Sequence, residues 1–129
     1  MTETDRLITE RVLPFREKIL EIVKEKHPYI YSVANAVLSG NKNMVGLQVT
    51  QGGRLIGEYT FHLDGMHIER VDTGKLDSGL HHPFLGLVKP YAIIERSAIE
   101  RILADENFST QLFGAITTYL PDITIKFLR

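Results

Sequence analysis

The chain predicts an α+β fold, a mostly antiparallel five-stranded sheet with helices packed on one face. Three observations carry this expectation. Apolar residues recur with helical spacing through residues 1–40, alternate with polar ones through 44–71, and then follow a strand, helix, helix, strand order over 91–128. The 129 residues suit one domain, 1–129, large enough to bury a core without a metal or disulfide staple. With 43% hydrophobic and 24% charged residues the composition is that of a globular protein.

In the helical part, Leu7, Ile8, Val12 and Leu13 read as a short helix capped by Thr4, interrupted at Pro14. Pro14 suits the first turn of a second helix, where Phe15, Ile19, Ile22 and Val23 form one apolar stripe. Glu17, Glu21, Lys24 and Glu25 occupy its solvated face. His27 ends it, because a residue before proline is pushed out of the helical region. Ile30, Val33, Ala34, Val37 and Leu38 continue the helical period to Gly40, placed as a C-terminal cap.

From Met44 the period changes to two. Asp64 and Gly65 signal a type I′ hairpin turn that pairs Leu63 with Met66, Phe61 with Ile68, Tyr59 with Arg70, and His62 with His67. A three-residue loop at Gln51, Gly52 and Gly53 pairs Val49 with Leu55, Leu47 with Gly57 and Val45 with Tyr59. That register gathers Val45, Leu47, Val49, Leu55, Tyr59, Phe61, Met66 and Ile68 on one face, with Gln48, Glu58, Thr60, His62, His67 and Glu69 on a wet reverse face. Leu76 to Pro90 is a long connection whose Leu80, Phe84, Leu85, Leu87 and Val88 make it unusually apolar. Tyr91 to Glu95 reads as the fourth strand. Ser97 with Glu100 reads as a capping box, Ser109 as the cap of a last helix bearing Leu112, Phe113, Ile116 and Leu120, and Ile123 to Phe127 as a closing strand.

No cysteine is present, which excludes thiol catalysis, disulfide scaffolds, iron–sulfur clusters and cysteine-ligated zinc. A formal net charge of −1 supplies no electrostatic reason for a nucleic-acid or anionic-membrane partner. No apolar run approaches a membrane span, and Met1 to Leu13 lacks a signal-peptide core, so a cytoplasmic protein is the default. Among the five histidines, His62 and His67 are cross-strand neighbours in the inferred register. With Glu69 they offer the nitrogen and oxygen ligands a divalent metal takes, although a solvated sheet face, where polar residues are required and histidine is ordinary, accounts for them better. His81 and His82 lie in the apolar connection without a base-orienting or nucleophilic partner. No pattern calls for a cofactor.

The excess of apolar groups raises another reading, an internal cavity between sheet and helices. Gly57 leaves room on the inner face and the apolar connection acts as a lid. The element order, with Tyr91, Ala92, Ile93 and Ile94 leading straight into the helix from Ser97 to Leu103, then Asp122 to Phe127 at the end, resembles the sterol carrier protein type 2-like superfamily. The resemblance implies non-enzymatic binding or transfer of lipids or other apolar small molecules, in a region comprising the inner sheet face and the last helix. Leu47, Gly57, Tyr59, Phe61, Ile68, Phe84, Phe113 and Ile116 are the expected ligand-lining residues. The alternatives are a ligand-free homodimeric interaction module, formed through the apolar connection and a strand edge, and the metal site at His62, His67 and Glu69.

Overall fold

The computed structural model describes residues 1–38, 42–82 and 84–129; the cap expected at Gly40, and Pro83 of the apolar connection, lie outside them. The first helix begins earlier than Thr4. Thr2 caps it: its hydroxyl accepts the Asp5 amide at 3.0 Å while the Asp5 carboxylate accepts the Thr2 amide at 3.0 Å, and Thr4 is buried within the first turn. Helix α1 (Glu3–Arg6), a π-helical turn (Leu7–Val12) and α2 (Leu13–Lys26) follow one another without a break. Pro14 therefore interrupts nothing. It has no amide to donate, and it stands in the first turn of α2 just beyond the π turn, where the Leu13 amide reaches back five residues to the Ile8 carbonyl.

This segment carries two apolar stripes. Leu7, Ile8, Val12 and Leu13 face the sheet. Phe15, Ile19, Ile22 and Val23 pack instead against Phe108, Leu112 and Ala115 of the C-terminal helices, with the Phe15 and Phe108 rings edge-to-face at 5.4 Å. His27 closes α2, and α3 (Pro28–Leu38) follows directly. Asn35 and Tyr31 of α3 reach the second hairpin turn, where the Asn35 side chain accepts the Met66 amide at 3.0 Å and the Tyr31 hydroxyl bonds His67 Nε2 at 3.0 Å.

Strands β1 (Asn43–Gln51), β2 (Arg54–Asp64) and β3 (His67–Thr73) form the meander, but both hairpins depart from the expected register. Gly52 and Gly53 both take positive φ, +60° and +79°, so the first turn has two residues and pairs Gln51 with Arg54. A bulge then leaves Ile56 unpaired and sets Val49 opposite Gly57, Leu47 opposite Tyr59 and Val45 opposite Phe61. The inner face keeps its members except Leu55, which is 48% exposed, and Met66, which stands in the second turn between β2 and β3. At the second turn only Gly65 has positive φ, +59°, and Asp64 pairs with His67. A type I′ turn centred on Asp64 and Gly65 would force positive φ on the aspartate; a turn centred on Gly65 and Met66 places the left-handed residue where glycine stands. A bulge at Glu69 follows, so Leu63 faces Ile68, His62 faces Arg70 and Phe61 faces Val71. Ile68 and Val71 are three residues apart, and the bulge is what puts both on the inner face.

After β3 the chain folds back across the outer face. The Gly74 amide donates to the Glu58 carbonyl at 2.8 Å, the Thr60 hydroxyl donates to the Lys75 carbonyl at 2.7 Å, and that hydroxyl accepts the Asp77 amide at 2.9 Å. Thr60, expected to be wet, is fully buried. This return brings Gly79 beside Met44 at the start of β1, where β4 (Leu80–His82) and β5 (Gly86–Val88) form a small hairpin in place of an irregular loop. Strand β6 (Pro90–Glu95) then leaves from the same end as β1 and pairs with it in parallel; β7 (Ile123–Phe127) pairs antiparallel with β6. The sheet, in the order β3-β2-β1-β6-β7, is mixed and not mostly antiparallel as expected, because the return crossing starts β6 beside the start of β1.

Helix α4 (Arg96–Ala104) follows Glu95 without a side-chain cap, leaving Ser97 inside the first turn; Ser109 lies within α5 (Asn107–Thr110), so neither serine is the expected cap. The Asp105 carboxylate accepts the Asn107 amide instead, at 2.9 Å. Helix α6 (Leu112–Tyr119) buries Leu112 and Ala115, and leaves Phe113, Ile116 and Leu120 exposed. The core against the inner sheet face joins Leu7 and Ile8 to Val49, Tyr59, Phe61, Ile94, Ala98 and Ile99.

Tyr59 is fully buried, and its hydroxyl donates to Asp5 Oδ1 at 2.7 Å. That bond lowers the Asp5 pKa, while burial, with help from Asp5, raises that of the phenol. Tyr59→Phe is expected to cost about 1–3 kcal/mol. The pH dependence has two signs. The lowered carboxyl value contributes stability above about pH 4 that is lost as pH falls; the raised phenol value contributes stability below about pH 10 that is lost as pH rises. Urea unfolding of both proteins from about pH 3 to about pH 11 checks this, with the flatter profile expected for Tyr59→Phe.

Candidate functional site

A cavity of about 340 Å³ lies between the N-terminal helical segment and the inner sheet face. Val12 and Leu13 form its helical wall; Val45, Leu47, Phe61 and Ile68 come from the meander; Pro90, Ala92 and Ile125 complete it from β6 and β7. A second, smaller apolar space of about 150 Å³ lies beside it, sharing Val12 and Leu47 and bounded by Phe15, Ile94, Ile99, Ile102 and Leu103. The volume falls at the lower end of small-molecule sites, and the lining is that of an apolar guest.

Arg16 is the one charged side chain among the lining residues of the larger cavity. Its Nη1 is buried and has no hydrogen-bond partner among the described residues. Burial lowers the guanidinium pKa, and Glu17 offsets this in part. The Glu17 carboxylate, however, is engaged elsewhere, accepting from His67 Nδ1 at 3.2 Å. A buried guanidinium nitrogen without an acceptor is costly.

The helical spacing explains its position. Ile8, Val12 and Arg16 are each four residues apart and share the sheet-facing side of the unbroken helical segment. An interruption at Pro14 hides Arg16 from the sequence, because the stripe of a helix that starts there runs through Phe15, Ile19, Ile22 and Val23. The signal was the four-residue step through the proline.

Of the ligand-lining residues expected, the structure brings together Leu47, Phe61 and Ile68 at this cavity. Tyr59 lies in the packed core, hydrogen-bonded to Asp5. Gly57 accommodates Tyr59 and not a ligand: a Cβ there would lie 2.7 Å from the Tyr59 hydroxyl oxygen. Phe84 is 90% exposed on the β4–β5 hairpin and does not act as a lid. Phe113 packs edge-to-face on His27, and with Ile116 it faces outward from α6, because the buried side of that helix is the Leu112 and Ala115 side.

The expected metal site is not assembled. The bulge at Glu69 sets His62 opposite Arg70 and His67 opposite Asp64. His62 Nε2 donates to Asp72 at 2.6 Å, a bond that lowers the Asp72 pKa, while His67 bridges Tyr31 and Glu17. Among the described residues no group of three or more His, Asp or Glu stands in metal-binding arrangement. His81 is held by the Asn43 side chain through its amide and ring at 2.9 and 3.0 Å, and His82 Nδ1 accepts the amides of Phe84 and Leu85. No helix among the described residues is long and apolar enough to cross a membrane.

Arg16→Met is expected to raise the unfolding free energy by about 1–3 kcal/mol, since it fills the same space without an unpaired buried charge. Denaturant titration of the two proteins measures it. A search of the chain against protein-family models finds no match, and neither does a search of the curated proteins.

Proposed function

We propose that the protein binds, without chemically altering it, an amphiphile that has an acyl-like chain and an anionic headgroup. The apolar chain lies against Leu47, Phe61, Ile68 and Ile125, and the headgroup meets Arg16. The observation that carries this reading is an unpartnered guanidinium nitrogen, Nη1, on Arg16, the one charged residue that lines the cavity. A carboxylate there forms a charge-assisted hydrogen bond, removing the cost of the buried donor when the ligand enters. The reading agrees with the resemblance to the sterol carrier protein type 2-like superfamily, which rests on element order. It differs in locating the guest between the N-terminal helical segment and the sheet, with α6 turned away.

The test is calorimetric titration of delipidated protein with saturated carboxylic acids and their methyl esters. Affinity should rise about fourfold for each added methylene until the cavity is filled. The acids should bind at least tenfold more tightly than the esters, and Arg16→Met should abolish that preference. Equal affinity for acid and ester, or no binding of either, refutes the reading.

A further inference from the structure

We propose that the β4–β5 hairpin and the basic side chains around it form a docking surface for an anionic lipid bilayer. This inference rests on the binding function proposed above, since a carrier of amphiphiles must exchange them with a membrane.

The apolar part of the surface is the hairpin tip. Phe84 is 90% exposed, Leu85 72% and Leu87 56%, and all three large side chains belong to one short hairpin. His82 Nδ1 accepts the amides of both Phe84 and Leu85 at 3.0 Å, Gly86 takes a φ of +74°, and Asn43 ties His81 to the start of β1. Apolar side chains on backbone held by such bonds have little ordering entropy to lose on insertion.

The occupant follows from charge. Three segments meet at this end of the sheet: the start of β1, the hairpin with the start of β6, and the end of β7. Residues 38–57, 78–94 and 123–129 contain no aspartate or glutamate, although the whole chain has 16 of them. At the meeting point those segments present Lys42, Lys89, Lys126 and Arg129, with Lys89 Nζ reaching the Arg129 carbonyl at 3.4 Å. Carboxylates from the neighbouring strands also reach this end: Asp64 closes β2, Glu69 of β3 lines a small pocket together with Lys42, and Asp77 is ion-paired with Lys75 at 3.8 Å. The four cations of the three segments outnumber them, and an apolar tip beside such a basic cluster matches a surface that is negative outside and hydrocarbon within. The same end carries the cavity, whose walls include Val45, Pro90 and Ile125. A protein seated there holds the cavity next to the membrane it exchanges with.

Flotation with phosphatidylcholine vesicles, with and without phosphatidylglycerol, tests the proposal. The wild type should bind the anionic vesicles, and binding should fall with salt. Phe84→Ser combined with Leu85→Ser should weaken it at least tenfold, and Lys42→Ala or Lys126→Ala about fivefold each. These exposed substitutions should leave the unfolding midpoint unchanged, so lost binding is not lost folding. Absence of binding to anionic vesicles, or a double variant that binds as tightly as the wild type, overturns the proposal. A concentration-dependent dimer in sedimentation that the double variant abolishes, without vesicle binding, overturns it in favour of a protein interface. Carboxylic-acid titration of the same samples separates the two readings: acid binding without vesicle binding leaves the cavity assignment standing and removes the docking surface, whereas vesicle binding without acid binding does the reverse.

Discussion

The hydrogen bond between the buried Tyr59 hydroxyl and Asp5 is the constraint on which the arrangement of this fold depends. It joins the first helical turn to the middle strand of the meander and gives the fully buried hydroxyl its acceptor. Gly57 belongs to the same device, because only a residue without a Cβ leaves the tyrosine ring and hydroxyl their place two positions along the strand. With Asp5 pinned and capped by Thr2, the rotational phase of the helix is set from its first turn. The π turn and the unbroken passage through Pro14 carry that phase forward to Val12 and Arg16.

That phase creates the conflict from which a function can be read. The position four residues beyond Val12 lines the cavity with Phe61 and Ile68, and it is an arginine whose buried Nη1 has no acceptor among the described residues. A buried donor left unpaired lowers stability. The packed half of the molecule shows the contrast. Phe15, Ile19, Ile22 and Val23 meet Phe108, Leu112 and Ala115, and Asp105 satisfies both the Asn107 amide and the Tyr119 hydroxyl.

Charge tells a similar story at the scale of the whole surface. A net charge of −1 describes a nearly neutral chain and by itself points to no charged partner. The parallel pairing of β1 with β6, with β7 beside them, gathers at one end three segments that contain no carboxylates. The apolar connection shows the same effect: its large side chains suggested a lid over a cavity, yet the short β4–β5 pairing directs Phe84 and Leu85 outward.

Local chemistry accounts for much of this protein. Period-two alternation marked the meander and its inner face, proline marked the boundary between α2 and α3, and the alternation of Ile123, Ile125 and Phe127 marked the last strand. These signals survive folding because each lies within a few residues. The hairpin registers did not follow from pattern, because pattern constrains only which face a residue occupies. A turn shift combined with a bulge preserves that face while changing every partner, which is how His62 and His67 came apart and how Val71 joined Ile68. The mixed sheet depended on a backbone crossing held by Thr60 and Gly74, long-range bonds with no local signature. Arg16 stood in plain view at the helical step from Val12, but its meaning required knowing that its buried Nη1 has no acceptor among the described residues. That is a property of the packed interior, where desolvation turns an ordinary cation into a site, and only the tertiary structure decides which charges are deprived of water.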